Sequence, residues 1–218
     1  MSHFAVYVFS EGYKEDIDDL LAPYDESIDY PPYVKYTKEQ AIAKVRKEIE
    51  DYKNTTYAEY LADPEKYIQE HGDAHPKHID YLQNVFPKKL CWSDEQCYED
   101  EAYYYKEDGL IDENGNLLST YNPNSKWDWY EIGGRWNDTL ITLSCTKTNE
   151  DIVDQIDWDK TTVPFAFITP DGKWHERGEM GWWAIVSNEK DDSEWEEEFR
   201  DAIKKYHNLT VTVVDCHI

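Results

Sequence analysis

The residues best suited to chemistry lie in the run Lys126-Trp127-Asp128-Trp129-Tyr130-Glu131-Ile132-Gly133-Gly134-Arg135-Trp136. Three Trp, a Tyr, a Lys and an Arg crowd around a Gly-Gly pair. Aromatic faces beside cations grip flat or anionic molecules, and a Gly-Gly step lets backbone approach such a molecule or simply turn. The run has three readings. Its Trp residues are core and Gly133-Gly134 a turn or bulge; or Lys126 and Arg135 neutralise a phosphate or carboxylate while Trp127, Trp129 or Trp136 stacks on a base; or the whole run is an interface hot spot.

A second segment, Pro170 to Trp183, repeats this composition with Lys173, Trp174, His175 and Arg177. If the two segments converge, they make an island of positive and aromatic surface suited to one small anionic aromatic molecule. Otherwise the second is a tight hairpin with exposed charges. His71, His75 and His78 approach metal-ligand spacing, but Pro76 interrupts them and no Cys or carboxylate signature completes a site, so neither metal nor cofactor is expected. In Asp215-Cys216-His217 a thiol adjoins an imidazole, the pairing of some nucleophilic enzymes. Neighbours on a strand face opposite ways, which makes His217 a ligand contact or a terminal strand residue instead. No P-loop, GxGxxG, GxSxG, HExxH or deaminase pattern occurs. The chain reads as a binder rather than an enzyme; a hydrolase using His175, Asp171 or His217 is the weaker alternative.

Charge narrows the partners. The 218 residues hold 47 Asp+Glu against 22 Lys+Arg, a formal net charge of -25. That disfavours direct binding to nucleic acid or to an anionic membrane. It suits plain solubility, or docking on a basic protein. The densest acidic run is Asp191-Asp192 with Glu194, Glu196, Glu197 and Glu198; it favours the macrodipole at a helix start, or else presents a phosphate-mimicking face. Four Cys without a CxxC pair, and no secretory or membrane-spanning stretch, lead to the expectation of a reduced, cytoplasmic setting. The oligomeric state stays open, a homodimer included.

The elements that must position these residues follow from patterning. Phe4–Phe9 is an unbroken apolar run and predicts a buried strand, followed by a short helix over Asp16–Leu21. Residues 24–36 predict an extended loop or edge strand. Thr37 and Gln40 form a capping-box pattern ahead of Ile42, Val45, Ile49 and Tyr52 at helical spacing. Further helices are expected over Thr56–Ala62, from Asp63-Pro64 to Glu70, and from His75-Pro76 through Val85. Asn114-Gly115 predicts a hairpin turn between Gly109–Ile111 and Leu117–Tyr121. Strands are expected over Thr139–Ser144, Val163–Thr169, Trp182–Val186 and Leu209–Val214, with a helix over Ser193–Tyr206. The apolar first and last strands invite pairing at the centre of one sheet. The expected fold is a single α+β domain over 1–218, with a mixed or antiparallel sheet, a helical block at about 37–86 inserted, and a Trp-rich sheet region at about 117–218.

Three segments together resemble a family of uncharacterised bacteriophage and prophage proteins. They are Ser2-His3-Phe4 with Leu21–Glu26, the Lys126–Trp136 run, and Thr169–Trp183 with the Asp215-Cys216-His217-Ile218 end. The resemblance implies phage origin and an accessory role such as antagonism of host defence; it assigns no catalytic residue. The resulting expectation is an anti-defence protein that sequesters a small nucleotide-like immune signal without turnover. Lys126, Trp127, Trp129, Arg135, Trp136, Lys173, Trp174, His175 and Arg177 would hold the ligand. The alternative is an acidic inhibitor of a nucleic-acid-binding host effector, such as a CRISPR or restriction nuclease.

Overall fold

In the computed structural model, which describes residues 2–12, 14–72, 75–181 and 185–218, the first apolar run becomes strand β1 (His3–Ser10). Helix α1 (Lys14–Leu21) follows. The chain then enters a compact unit spanning 31–120; residues 1–30 and 121–218 form a second one. The chain is α+β, with a mixed sheet and several small antiparallel pairs.

The 31–120 unit opens with β2 (Tyr33–Tyr36) and α2 (Lys38–Tyr52). The Thr37 hydroxyl accepts from the Gln40 N–H, and the Gln40 side chain accepts from the Thr37 N–H, completing the expected capping box. The helical path continues through a wide turn at Lys53–Tyr57 into α3 (Ala58–Ala62), then α4 (Pro64–His71), which the Asp63 carboxylate caps through the Lys66 N–H. Helix α5 (Pro76–Asp80) leads through a second wide turn into α6 (Phe86–Lys89). Helix α7 (Asp94–Glu107) forms in acidic, Tyr-rich sequence where no element was expected, and Ser93 and Gln96 cap it with a second capping box. Its buried side is small, made of Cys97, Tyr98 and Ala102, so apolar periodicity is faint there. The Asn114-Gly115 turn exists, but Ile111 meets Leu117 in a single bridge, and strand β3 (Leu117–Ser119) takes its ladder from β2 instead.

The other unit is built on β1 and the last strand. Strand β4 (Trp129–Ile132) comes from the Trp motif; β5 (Leu140–Ile141) and β6 (Lys147–Thr148) form a small pair, and β7 (Glu150–Ile152) follows. Strands β8 (Ala166–Ile168) and β9 (Trp174–Glu176) make a hairpin about Pro170-Asp171-Gly172. The partner of the Val163–Thr169 region across that turn is therefore β9. In the expected Trp182–Val186 strand, Trp182, Trp183 and Ala184 lie outside the described residues; β10 (Glu179–Met180) pairs with β11 (Val186–Ser187) beside them. Helix α8 (Asp192–Lys205) and strand β12 (Thr210–His217) complete the unit.

The sheet runs β4-β12-β1-β8-β9, with β7 also on β12. β1 and β12 pair antiparallel from His3↔His217 to Ser10↔Thr210, and β8 lies parallel to β1. Both faces of the central strands are covered, which is why β1 is an unbroken apolar run between its end residues. Tyr7, Phe9, Val211 and Val213 pack under Trp195, Phe199 and Ala202 of α8. Phe4, Val6, Val8, Val214 and Cys216 pack on the opposite face with Ile17 and Leu21 of α1 and with Trp127. Each large side chain so buried contributes about 1.5–3 kcal/mol. Among the described residues no helix is long and apolar enough to cross a membrane.

Candidate functional site

The antiparallel register places three ring-bearing residues side by side at one end of the sheet. His217 lies opposite His3 on one side and opposite Trp129 on the other. Directly paired residues project from the same face, so the rings meet. Trp129 stacks on His217 with ring centroids 5.2 Å apart and an interplanar angle of 16°. His3 meets His217 edge-on at 4.9 Å. Two residues along β12, Asp215 projects on the same side as His217 by the period-two rule. Its carboxylate lies 3.0 Å from His3 Nδ1, while Asp128, just before β4, lies 2.5 Å from His217 Nδ1. The result is two Asp–His pairs on adjacent strands, with His3, His217 and Asp215 nearly enclosed.

The Gly-Gly step secures this cluster. Gly133 donates its N–H to the Val213 carbonyl at 2.9 Å, and Gly134 carries φ +50° in the turn that follows. A Cβ on Gly134 would lie 2.5 Å from the Asp215 Cβ, so the turn presses directly against the carboxylate. That approach lets the Arg135 N–H donate to Asp215 Oδ2 at 2.8 Å. The Arg135 side chain is exposed and, with His3, Trp129 and Glu131, lines a shallow pocket of about 510 Å³. A larger cleft of about 580 Å³ adjoins it. His3 lines both, and the cleft continues over Phe4, Ala5 and Tyr7 to Trp136, Arg177 and Trp195.

The structure divides the residues expected to hold a ligand. Trp129, 43% exposed, and Arg135 belong to the shallow pocket. Trp136 and Arg177 line the larger cleft; Arg177 lies between Glu189 at 2.8 Å and Asp192 at 2.7 Å, although its Nε–H is not aimed at an acceptor. Lys126, Lys173 and Trp174 border a third groove, where Lys126 pairs with Glu176 at 2.7 Å and Lys173 with Asp171 at 3.1 Å. The Trp174 indole donates to Glu176 at 2.8 Å. His175 stacks on Phe167 and binds Glu198 at 2.7 Å. Trp127, expected to stack on ligand, is only 7% exposed in the core, with its indole N–H spent on the Leu21 carbonyl at 3.1 Å. The single basic island envisaged from composition is thus spread over the shallow pocket, the adjoining cleft and a third groove, and most of its cations are neutralised by Asp171 and Glu176 of the second segment and by Glu189 and Asp192 beyond it. Of Lys126, Arg135, Lys173 and Arg177, Arg135 alone has no carboxylate partner among the described residues.

Titration and packing sort the other candidates. Thr169 and Lys173 pull Asp171 down to about 2. Burial would raise Glu198, but Lys190 and His175 outweigh it and hold the carboxyl below its usual range. Cys216 faces the opposite side of the sheet from His217, and burial pushes its thiol well up, so the two form no nucleophilic pair. His71 and His78 pack around Tyr67, and no metal-holding group of three or more His, Cys, Asp or Glu occurs among the described residues. In the acidic run, Asp192 in the first turn of α8 and Glu198 midway along it are ion-paired, while Glu194 and Glu197 stay exposed.

No protein-family model matches the chain, and neither does any curated protein or solved structure. The site therefore rests on its own geometry. His3, Asp128 and Asp215 were not among the residues expected to hold a ligand; the expected strands Phe4–Phe9 and Leu209–Val214 stop short of His3, Asp215 and His217, which the observed β1 and β12 include.

Proposed function

We propose that the protein binds a small nucleotide-like anion at the Trp129–Arg135 pocket, the base stacking on Trp129 and the phosphate meeting Arg135. The observation that carries this reading is the Arg135 guanidinium, without a carboxylate partner among the described residues, beside an exposed indole, in a chain of net charge -25 whose other motif cations are ion-paired. An unopposed guanidinium offers a planar fork to phosphate, and stacking on an aromatic face is worth about 1–3 kcal/mol per base. The adjoining cleft of about 580 Å³ has the size of a small-molecule site. Capture without turnover is the reading that the turned-away Cys216 supports. With the phage resemblance, it fits an anti-defence protein that withdraws a nucleotide immune signal from a host.

Tryptophan fluorescence tests the stacking half. Nucleotides titrated into the wild type quench emission saturably, and Trp129→Phe removes most of that quenching while Trp174→Phe does not. Equal quenching in wild type and Trp129→Phe would place the base elsewhere. The −25 charge also favours a second reading, an acidic inhibitor of a basic host effector. It predicts a salt-sensitive complex that Glu194→Lys with Glu197→Lys weakens and Arg135→Ala does not.

A further inference from the structure

The charges around the two imidazoles oppose an anion. On β4 and just before it stand Glu131 and Asp128, on β12 Asp215, and in the turn Arg135. With both imidazoles neutral, that is three carboxylates against one guanidinium. The cleft beyond His3 adds Asp192 and Glu196 against Arg177, with the Tyr7 phenol on its floor. A phosphate drawn to Arg135 enters a field of its own sign unless the site gains positive charge.

The imidazoles are built to supply it. Each turns Nδ1 to a carboxylate, His3 to Asp215 at 3.0 Å and His217 to Asp128 at 2.5 Å, so that an Nδ1–H of either ring has an acceptor. Nε2 is then the nitrogen each ring has to offer. His3 lines both the pocket and the cleft. The His217 side chain is 5% exposed, and its Nε2 has no hydrogen-bond partner among the described residues.

We propose that the His3–His217 pair takes up protons when a phosphate-bearing ligand binds, His3 Nε2–H meeting the phosphate alongside the Arg135 guanidinium. His217, held by Asp128 and covered by Trp129, is a positioning residue for His3. With both rings protonated, three positive groups (His3, His217, Arg135) balance three carboxylates (Asp128, Asp215, Glu131), and the ligand no longer meets net negative charge. This inference rests on the binding reading above and adds His3 to the ligand contacts.

Calorimetry with adenosine monophosphate and cyclic di-adenylate, in two buffers of different ionisation enthalpy from pH 5.5 to 8.5, tests it. The expected result is a buffer-dependent heat reporting uptake of up to two protons, with affinity falling roughly tenfold or more as pH rises across that range. His3→Gln keeps an N–H donor and loses the His3 share of the proton uptake. The histidine Hε1 resonances of the wild type give a second readout that needs no variant: ligand at pH 7 shifts them towards their imidazolium positions. Binding that is flat with pH and free of buffer-dependent heat overturns the proton-coupled capture and leaves the pocket assignment standing. Absence of binding by both probes at every pH overturns the pocket assignment itself.

Discussion

Replacing Gly134 with Ala tests the tightest approach in the site. Two costs add. At φ +50° an L side chain is strained by about 1–2 kcal/mol. The new Cβ would also lie 2.5 Å from both Cβ and Oδ2 of Asp215. Asp215 Cβ belongs to a central strand and cannot swing aside as a side-chain tip would, so the turn must lift, at the ~1–3 kcal/mol typical of overpacking. Together these give roughly 3 kcal/mol, or roughly 10 °C in Tm for a unit of this size. Gly172→Ala is the matched control: its φ is +78°, but nothing lies within 4 Å of its Cβ position, so it carries only the backbone cost. Thermal unfolding followed by tryptophan emission reads the relevant unit, because eight of the nine Trp lie outside residues 31–120 and only Trp92 lies within. Lifting the turn also withdraws the Arg135 N–H from Asp215. If Gly134→Ala melts no lower than Gly172→Ala, the close packing of the Gly-Gly turn on Asp215 is wrong.

The remaining expectations concern the same unit. Asp215→Ala strands the Arg135 N–H and the His3 Nδ1, each at ~1–3 kcal/mol, whereas Asp215→Asn keeps a partner for both and costs roughly half as much; equal losses in urea unfolding would contradict that hydrogen bonding. Burial raises both the Cys216 thiol and the Tyr7 phenol. Each folded value lies above the unfolded one, so the stability they contribute is complete below the unfolded values, ~8.5 and ~10, and is lost as pH rises past them. Cys216→Ala should abolish the first decline, above about pH 8.5; an unchanged stability–pH curve refutes the assignment. Ellman's reagent should modify the exposed Cys91 and Cys145 in the native protein, and Cys97 and Cys216 only after unfolding.

The central sheet was legible in the sequence because its strands are apolar on both faces. Phe4–Phe9 lacks the polar interruptions of a surface strand, Leu209–Val214 is interrupted only by the β-branched Thr210 and Thr212, and the two pair as expected. Capping chemistry revealed α2 through Thr37 and Gln40. The same pattern at Ser93 and Gln96 marked α7, but a buried side made of Cys97, Tyr98 and Ala102 gave little periodicity to support it. The hairpin after β8 was legible as one of two readings of the second segment, but the burial of its second strand was not, because Trp174, His175 and Glu176 read as a charged cluster. In the sheet they pack on Tyr24, Phe167 and Lys126 respectively, the first and last of these remote in sequence. The site was hidden for a related reason. Its residues come from both ends of the chain and from the motif, and only the register of three strands brings His3, His217 and Trp129 into one row. The ion pairs that remove Lys126, Lys173 and Arg177 from consideration use Glu176 and Asp171 of the second segment and Glu189 beyond it, and composition alone does not say which carboxylate meets which cation.

The central claim is that Arg135 is the cation to which an anionic ligand binds. Calorimetric titration of wild type, Arg135→Ala and Lys126→Ala against a panel of mono- and dinucleotides tests it most directly. The account predicts saturable binding by the wild type, affinity reduced roughly tenfold to hundredfold in Arg135→Ala, as befits a charged hydrogen bond of about 1.5–3 kcal/mol, and near-wild-type binding in Lys126→Ala. Undiminished affinity in Arg135→Ala, or a larger loss in Lys126→Ala, would contradict it.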